Sequence, residues 1–370
     1  MSAYLHKVWD LLESMGMFTC TWPVDRNASK WKIILRNVHW LVAVVNVLIV
    51  ITSLILTMYH YKSDIIIMTE AISEMGCLIE LTLDMILCKI HSSQIQILVR
   101  KVKTYIDTSN EYKNSVIEGY VHRYKIHFLL IVSQFVSTGT LFNLMALYTK
   151  QLPLNGWYPF STEPDLVFYY IFCVEAYSIF QVSFSIFSDF VIIGLISFIA
   201  ARLDILSSQM KQVSDYDLLV KCVKEHHEII GFFEDTTAAV RSLLFKTNIT
   251  MGGTVISAVL SLLYVRNQSL YTACQYFGMV MAGYGHMWII TWPADDLTES
   301  SLKFAKSLHD IPWPGKSRRM KSTVLIMMLR CQKPFLITMG GLLPVLSLQY
   351  FSQFLTNVFS YFMAMRSMLE

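Results

Sequence analysis

Two carboxylates one helical turn apart, Glu80 and Asp84, are the first residues whose spacing could do chemistry. Like charges so placed destabilise a helix unless water or a partner relieves them. Two uses are open: lining an aqueous vestibule, or holding structural partners inside a protein bundle. His286 divides in the same way, into a packing histidine with satisfied ring nitrogens or a pH sensor. Little else offers catalysis. The chain has no Walker loop, no GxSxG and no HExxH. Its seven cysteines (Cys20, Cys77, Cys88, Cys173, Cys222, Cys274 and Cys331) stand singly, without CxxC spacing or a His pair at metal-ligand intervals. They read as free thiols. Neither enzyme activity, metal nor cofactor is expected.

A different polar pattern lies at the carboxyl end. Phe335 to Met368 is almost free of charge and is broken at Gly340, Gly341 and Pro344. Beyond the break it carries Ser347, Gln349, Ser352, Gln353, Thr356, Asn357 and Ser360 among apolar residues. In lipid that density of polar groups is costly unless they face protein or water, so the stretch reads as a span with one wet face.

The elements that position these groups are membrane helices. With 54% hydrophobic and 15% charged residues in 370, and a mean hydropathy of +0.46, the chain reads as a polytopic membrane protein in contact with lipid. Its start lacks an apolar run followed by a cleavage site, which argues for a cytoplasmic amino terminus. A net charge of +3 implies no nucleic-acid partner. Stretches long enough to cross about 30 Å of hydrocarbon fall at 37–61, 65–88, 126–149, 166–200, 247–265, 270–292 and 336–365.

Lys and Arg set the expected orientation, because cytoplasmic loops accumulate them. The segments before span one and between spans two and three, four and five, and six and seven hold 5, 7, 6 and 8 of them. Each segment facing the other way holds one, and no span interior holds any. The amino terminus is therefore expected inside and the carboxyl terminus outside. A G-protein-coupled receptor would be inverted, and its Asp-Arg-Tyr and Asn-Pro-x-x-Tyr motifs are missing after spans three and in seven. A transporter would show repeats and paired broken helices, whereas one span is clearly broken here and no repeat is visible.

The organisation follows: a cytoplasmic amphipathic segment 1–36, spans one to four over 37–200, helical extensions over 201–246, spans five and six over 247–292, a cytoplasmic anchor segment 293–340, and a seventh helix over 341–370. Leu206, Met210, Val213, Cys222, Ile229 and Phe233 recur at a loosely helical period below span four, so spans four to six are expected to continue and pack there as a bundle. In 1–36, Trp9, Leu11, Leu12, Met15, Met17, Phe18 and Trp22-Pro23 suit a helix at the inner interface. The Asn-x-Ser/Thr triplets at Asn27, Asn248 and Asn267 are expected to be idle.

Span four opens with Tyr169, Cys173, Tyr177, Phe180 and Phe184 at helical spacing. Span three brings Thr138, Phe142 and Met145 to that depth, span two Ile72, Met75 and Ile79, and span six Tyr276, Met279 and Val280. Such stripes either pack helix on helix and face lipid or, as a set, enclose a small-molecule cavity.

The carboxyl third carries a family resemblance. Glu299, Ser300, Ala305 and Trp313, then Arg330, Gln332, Pro334 and Gly340, then Ser360-Tyr361, resemble in order and spacing the motifs of the insect odorant receptors. Trp22-Pro23 and Trp157-Tyr158-Pro159-Phe160 agree more thinly, and His309 stands where the family commonly has Tyr. The ending lacks the Gln-Phe of the related gustatory receptors, and the chain is shorter than the shared co-receptor subunit.

The resemblance implies an all-α membrane fold of seven transmembrane helices with a cytoplasmic anchor bundle and a split seventh helix. It implies a tuning subunit, in the plasma membrane of sensory-neuron dendrites, joined to the odorant co-receptor in a heterotetrameric, ligand-gated, non-selective cation channel. The implied ligand is a small, volatile, apolar molecule held among spans two to six. Depth and helical face nominate Met75, Ile79, Phe142, Met145, Cys173, Tyr177, Phe180, Phe184, Leu262, Tyr276 and Met279 for that pocket. The family's gate and the polar place after it fall on Ala364 and Ser367, with Ser360 and Asn357 on the same pore-side or subunit-contact face.

Overall fold

Polar residues start the helices by accepting from amides that the first turn leaves free. Ser29 caps one, Asp64 another through Ile66 N (3.0 Å) and Ile67 N (3.2 Å), Asn110 a third through Lys113 N (3.0 Å), and Ser317 a fourth. The computed structural model describes residues 2–22, 29–263, 270–311, 315–340 and 344–369. Within them the helices are α1 (Ser2–Phe18), α2 (Lys30–His60), α3 (Ile65–Ile90), α4 (Ser92–Thr108), α5 (Glu111–Thr149), α6 (Asp165–Met210), α7 (Tyr216–Leu263), α8 (Leu270–Ser307), α9 (Arg318–Cys331) and α10 (Leu348–Leu369). Pro23, Asn27, Asn267, Trp313 and Gly341, singled out in the sequence, lie outside the described residues.

The first six expected spans fall in α2, α3, α5, α6, α7 and α8. By length and composition α2, α5, α6 and α7 are each able to cross a membrane, whereas α3 brings Glu70, Glu74, Glu80 and Asp84 with it and buries them all. Those acids require protein cover. Helix α6 is apolar on every side and becomes the central post of the bundle, 83% of its most apolar stretch being buried. At 46 residues it is about 69 Å long, more than twice the hydrocarbon thickness. It and α5, α7 and α8 therefore continue beyond one membrane face as one packed body.

In that body Leu206, Met210, Val213, Cys222 and Ile229 are buried against Leu297, Phe304 and Leu308 of α8 and Met320, Val324 and Met327 of α9. Helix α1 joins it with Leu5, Trp9 and Leu12, leaving Leu11, Met17 and Phe18 outward. Trp9 lies so close to Gly194 of α6 that a Cβ there would come within 2.9 Å of the ring. Lys103 of α4 holds α1 from the side, 3.0 Å from Asp10 and 2.7 Å from Glu13.

His226 of α7 is enclosed there by Phe304 and Phe335, and burial, with Arg330 and His227 nearby, pulls its pKa down to about 4. An unfolded His titrates near 6.5. Between those values the unfolded chain binds the extra proton, so this residue's contribution is complete above about pH 6.5 and is lost as pH falls towards about 4. Thermal melts of the detergent-solubilised receptor should show that loss, and His226→Phe should flatten it.

The expected seventh span, 336–365, is helical only in its second part. Residues 335–340 and 344–347 are non-helical, with Thr338 bridging Val345 and Leu346 N donating to Ile337 O at 2.9 Å, and the helix starts only at Leu348. Phe335, Ile337, Met339 and Leu346 are buried, and Phe335 N donates to Ser301 Oγ of α8 at 3.0 Å. Gly340 takes a φ of +126°, open to a residue without Cβ. The described part of the stretch docks on α8, with Phe335 N and O paired to Ser301 and Thr298 of that helix.

Candidate ligand cavity between a polar lid and a charged floor

Five helices, α3, α5, α6, α7 and α8, close around a cavity of about 90 Å³. Its wall is made chiefly by Phe135 and Phe142 of α5, Ile179 and Val182 of α6, Met251 of α7, Met279 of α8, and Cys77 and Leu78 of α3. Small residues bring the helices together around it. A Cβ on Gly139 would come within 2.1 Å of Ser183 Oγ, and one on Gly283 within 2.3 Å of Val255 Cγ2.

One end is closed by the loop between α5 and α6, which folds inward. Its buried amides must find acceptors. Leu154 N donates to Glu175 Oε2 at 3.0 Å and Asn155 N to Glu74 Oε2 at 2.9 Å. The Asn155 side-chain amide donates to Glu70 (3.1 Å) and Glu74 (3.0 Å), and Tyr276 donates to Glu74 Oε1 at 3.0 Å. Tyr158 donates to Glu175 at 2.8 Å, and Trp157 N to Thr57 Oγ1 at 2.7 Å. Carboxylates from α3 and α6 thus clamp this lid, and Leu154 beneath it faces the cavity.

The opposite end is a buried charged cluster. Lys246 of α7 touches Glu80 and lies 2.7 Å from Asp84, with all three side chains almost fully enclosed. Thr247 (2.8 Å) and Thr250 also donate to Glu80. His286 Nε2 of α8 lies 2.9 Å from Asp189 Oδ2 of α6. Glu80 and His286 form part of the cavity wall, so the floor is where the apolar space meets fixed charge. The expectation that no span interior holds a basic residue placed Lys246 one residue outside span five. In the structure it is 6% exposed, because its long stem reaches inward to the two acids. Of the two uses open for Glu80 and Asp84, partnership inside the bundle is what the structure shows.

Of the nominated pocket residues, Phe142 and Met279 line the cavity, and Tyr276 sits fully buried at the lid, its ring 6.5 Å from that of Phe142. Met75, Tyr177 and Leu262 pack half-buried on the same apolar cluster. Tyr177 turns to His39 Nε2 of α2, 3.2 Å away. Ile79 and Met145 are half-buried. Cys173 and Phe180 are exposed on the outside of α6, and Phe184 stacks towards Phe187 and Phe18. The stripe on α6 follows the helical period, but the cavity lies on its neighbouring face, at Ile179, Val182 and Ser183.

Glu74, Glu175, Asn155, Asp189 and Lys246 escaped the sequence reading. A usable signal was present: acids inside apolar runs need donors at the same depth, and the turn-rich loop and the start of span five were the nearest sources.

Helix α10 packs on α7 and α8 through Phe354, Val358 and Phe362. Ser352, Gln353, Thr356, Asn357 and Ser360 face outward, as do Ala364 and Ser367. Thr356, Ser360 and Ser367 donate to backbone carbonyls of their own helix (3.0, 2.8 and 2.8 Å). At its base Tyr350 donates to Asn248 Oδ1 of α7 at 2.5 Å, two residues from Lys246.

Comparison with known proteins gives this geometry relatives. The family model described as 7tm Odorant receptor matches residues 68–359. The chain is 25% identical over 150 residues to Odorant receptor 10 of Aedes albopictus, covering 40% of this chain and 39% of that one. It is 23% identical over 235 residues to Putative odorant receptor 59c of Drosophila melanogaster, covering 58% and 56%. The matched region thus spans from two fifths to a little over half the length of these relatives. The structure is similar to that of the insect olfactory receptor OR5 from Machilis hrabei in complex with eugenol, at a TM-score of 0.85 with 17% identity over 100% of both chains. Against another solved structure of that receptor the TM-score is 0.79 with 18% identity over 98% of both chains. The all-helical seven-transmembrane fold is therefore this chain's fold.

Proposed function

The chain belongs to the 7tm Odorant receptor family, and from that premise we propose that it is the odorant-binding tuning subunit of a heteromeric, odorant-gated, non-selective cation channel. The observation that carries this reading is the apolar cavity among α3, α5, α6, α7 and α8, lidded at one end and bordered at the other by a cluster that contacts the helix pair supporting α10. A volatile, largely apolar molecule fits such a wall, and by binding one arrangement of the helices better than another it shifts a closed-to-open equilibrium.

The odorant co-receptor completes the pore in a heterotetramer. The outward polar face of α10, with Asn357, Ser360 and Ser367, serves the pore or the subunit contact, and Ala364 marks its narrowest point. A residue that small constricts less than a larger aliphatic one would, and hydrophobic constrictions gate by dewetting. The 26 basic residues in the segments before span one and between spans two and three, four and five, and six and seven support a cytoplasmic amino terminus and an extracellular carboxyl terminus, and the reading places the receptor in the plasma membrane of sensory-neuron dendrites.

Co-expression with the co-receptor should give odorant-evoked cation current within milliseconds and without G proteins. Current that needed G-protein signalling, or that arose only after seconds, would show the reading to be wrong. In the same cells Phe142→Ala and Met279→Ala should reorder an odorant panel by about tenfold or more, since each enlarges the cavity by several methylenes. Tyr177→Ala and Phe180→Ala, on faces of α6 turned from the cavity, should leave the order unchanged.

A further inference from the structure

A wall of aromatic, aliphatic and sulfur-bearing side chains would by itself favour hydrocarbons. His286 changes that. It is 2% exposed and forms part of the cavity wall, where its neighbour across the space is the Phe135 ring, with centroids 6.0 Å apart. Its Nε2 lies 2.9 Å from Asp189 Oδ2 as an ion-pair contact outside hydrogen-bond geometry, and its Nδ1 has no hydrogen-bond partner among the described residues. A buried polar atom left this way costs free energy until something pairs with it.

Thr254 offers the alternative, as its Oγ1 is also buried and without a hydrogen-bond partner in the same wall. It lies against α3, however, where a Cβ on Gly76 would come within 2.1 Å of it. His286 is thus the unpartnered polar group that the cavity wall offers a ligand.

The groups facing His286 decide whether its free nitrogen donates or accepts. Asp189 has no other cationic neighbour within ion-pair distance among the described residues, since Lys246 is held by Glu80 and Asp84. A carboxylate whose side chain is only 3% exposed needs a cation beside it. Three carboxylates, Glu80, Asp84 and Asp189, stand around one ammonium, so a second positive charge on the imidazole balances the cluster. With both nitrogens protonated, Nδ1–H is a charged donor of a cavity-wall residue, left for a ligand to meet.

We infer that His286 makes this cavity selective for small molecules carrying one oxygen acceptor, such as a ketone, at the end that meets the charged floor, with an apolar body against Phe142 and Met279. The inference rests on the cavity being the odorant site. It places the oxygen at the floor and the hydrocarbon part towards the lid, so the polar group contacts the same cluster that borders the support of α10.

Shape-matched pairs test it: cyclopentanone against cyclopentane, and acetophenone against ethylbenzene. Binding is read as ligand-induced thermal stabilisation of the full-length receptor in lipid nanodiscs, and gating as current with the co-receptor. Each ketone should bind about ten- to a hundredfold more tightly than its hydrocarbon, the range of a charge-assisted hydrogen bond. The His286→Leu exchange alone strands Asp189, so the deciding variant is the pair Asp189→Asn with His286→Leu, supported by His286→Gln. In the paired variant the ketone advantage should vanish while hydrocarbon binding persists.

Equal binding within both pairs in the unaltered receptor, or a ketone advantage surviving the paired substitution, overturns the inference and leaves the cavity as the odorant site. Stabilisation by none of the four compounds overturns the inference together with the cavity reading. Ketone-selective binding without any current would uphold the inference and sink the channel proposal instead.

Discussion

Lys246→Met is expected to remove most of the folded receptor, while the triple exchange Glu80→Gln, Asp84→Asn and Lys246→Met restores it. The single exchange leaves two enclosed carboxylates, Glu80 and Asp84, about one helical turn apart without their cation. Breaking a buried ion pair from one side costs about 3–5 kcal/mol, a large part of the roughly 5–15 kcal/mol that holds a typical domain. Neutralising all three members removes charge and counter-charge together, and such replacements are often neutral. Size-exclusion profiles and melting temperatures of the detergent-solubilised variants measure this directly. Were Lys246→Met as stable as the unaltered chain, the cluster would be an exposed feature and not the floor of a closed bundle. Because Tyr350 of α10 bonds Asn248 on the same turn of α7, the triple variant should also change gating even where folding recovers.

Glu74→Leu should open the lid, and Glu74→Gln should largely keep it. The carboxylate accepts from the Asn155 backbone amide, the Asn155 side chain and the Tyr276 hydroxyl. Leucine of similar length strands two donors, Asn155 N and the Tyr276 hydroxyl, while the Asn155 side chain keeps Glu70, and each stranded buried donor costs about 1–3 kcal/mol. Even the lower end of that sum, about 2 kcal/mol, shifts a closed-to-open lid equilibrium by about thirtyfold. Glutamine retains one acceptor oxygen in the same place. Hydrogen exchange across residues 150–164 should rise steeply in Glu74→Leu and little in Glu74→Gln, with odorant sensitivity following the same order. Similar exchange in both would mean that the loop is held by Trp157 and Tyr158 alone.

The two predictions mark where sequence reasoning stopped. The apolar runs of α2, α5 and α6 were visible because a helix must present about twenty apolar residues to lipid wherever its neighbours stand. The continuation of α6, α7 and α8 past the membrane was visible in Leu206, Met210, Cys222 and Ile229, whose period reports a buried face without saying against what. Phe142 and Met279, nominated by depth, line the cavity, whereas Cys173 and Phe180, nominated on the same grounds, face outward. A stripe on a helix records that one side is apolar. It does not record how the helix is rotated about its axis, and on α6 the side that meets the cavity is marked by the buried polar residues Glu175, Ser183 and Asp189 and not by the aromatic stripe.

What the sequence determined by itself was class and topology: helical spans, their order, the charge asymmetry across them, and a carboxyl stretch that breaks before a polar-faced helix. Each of these follows from local composition against the bilayer as a solvent. Only the tertiary structure decided that Lys246 belongs to Glu80 and Asp84, that Asn155 closes a lid on Glu74, that His286 pairs with Asp189 and leaves Nδ1 unpartnered, and that Phe335 docks its backbone on α8. These pairings join residues up to 166 positions apart. Their cost or benefit exists only once burial removes water from both partners, so no single stretch of sequence carries it.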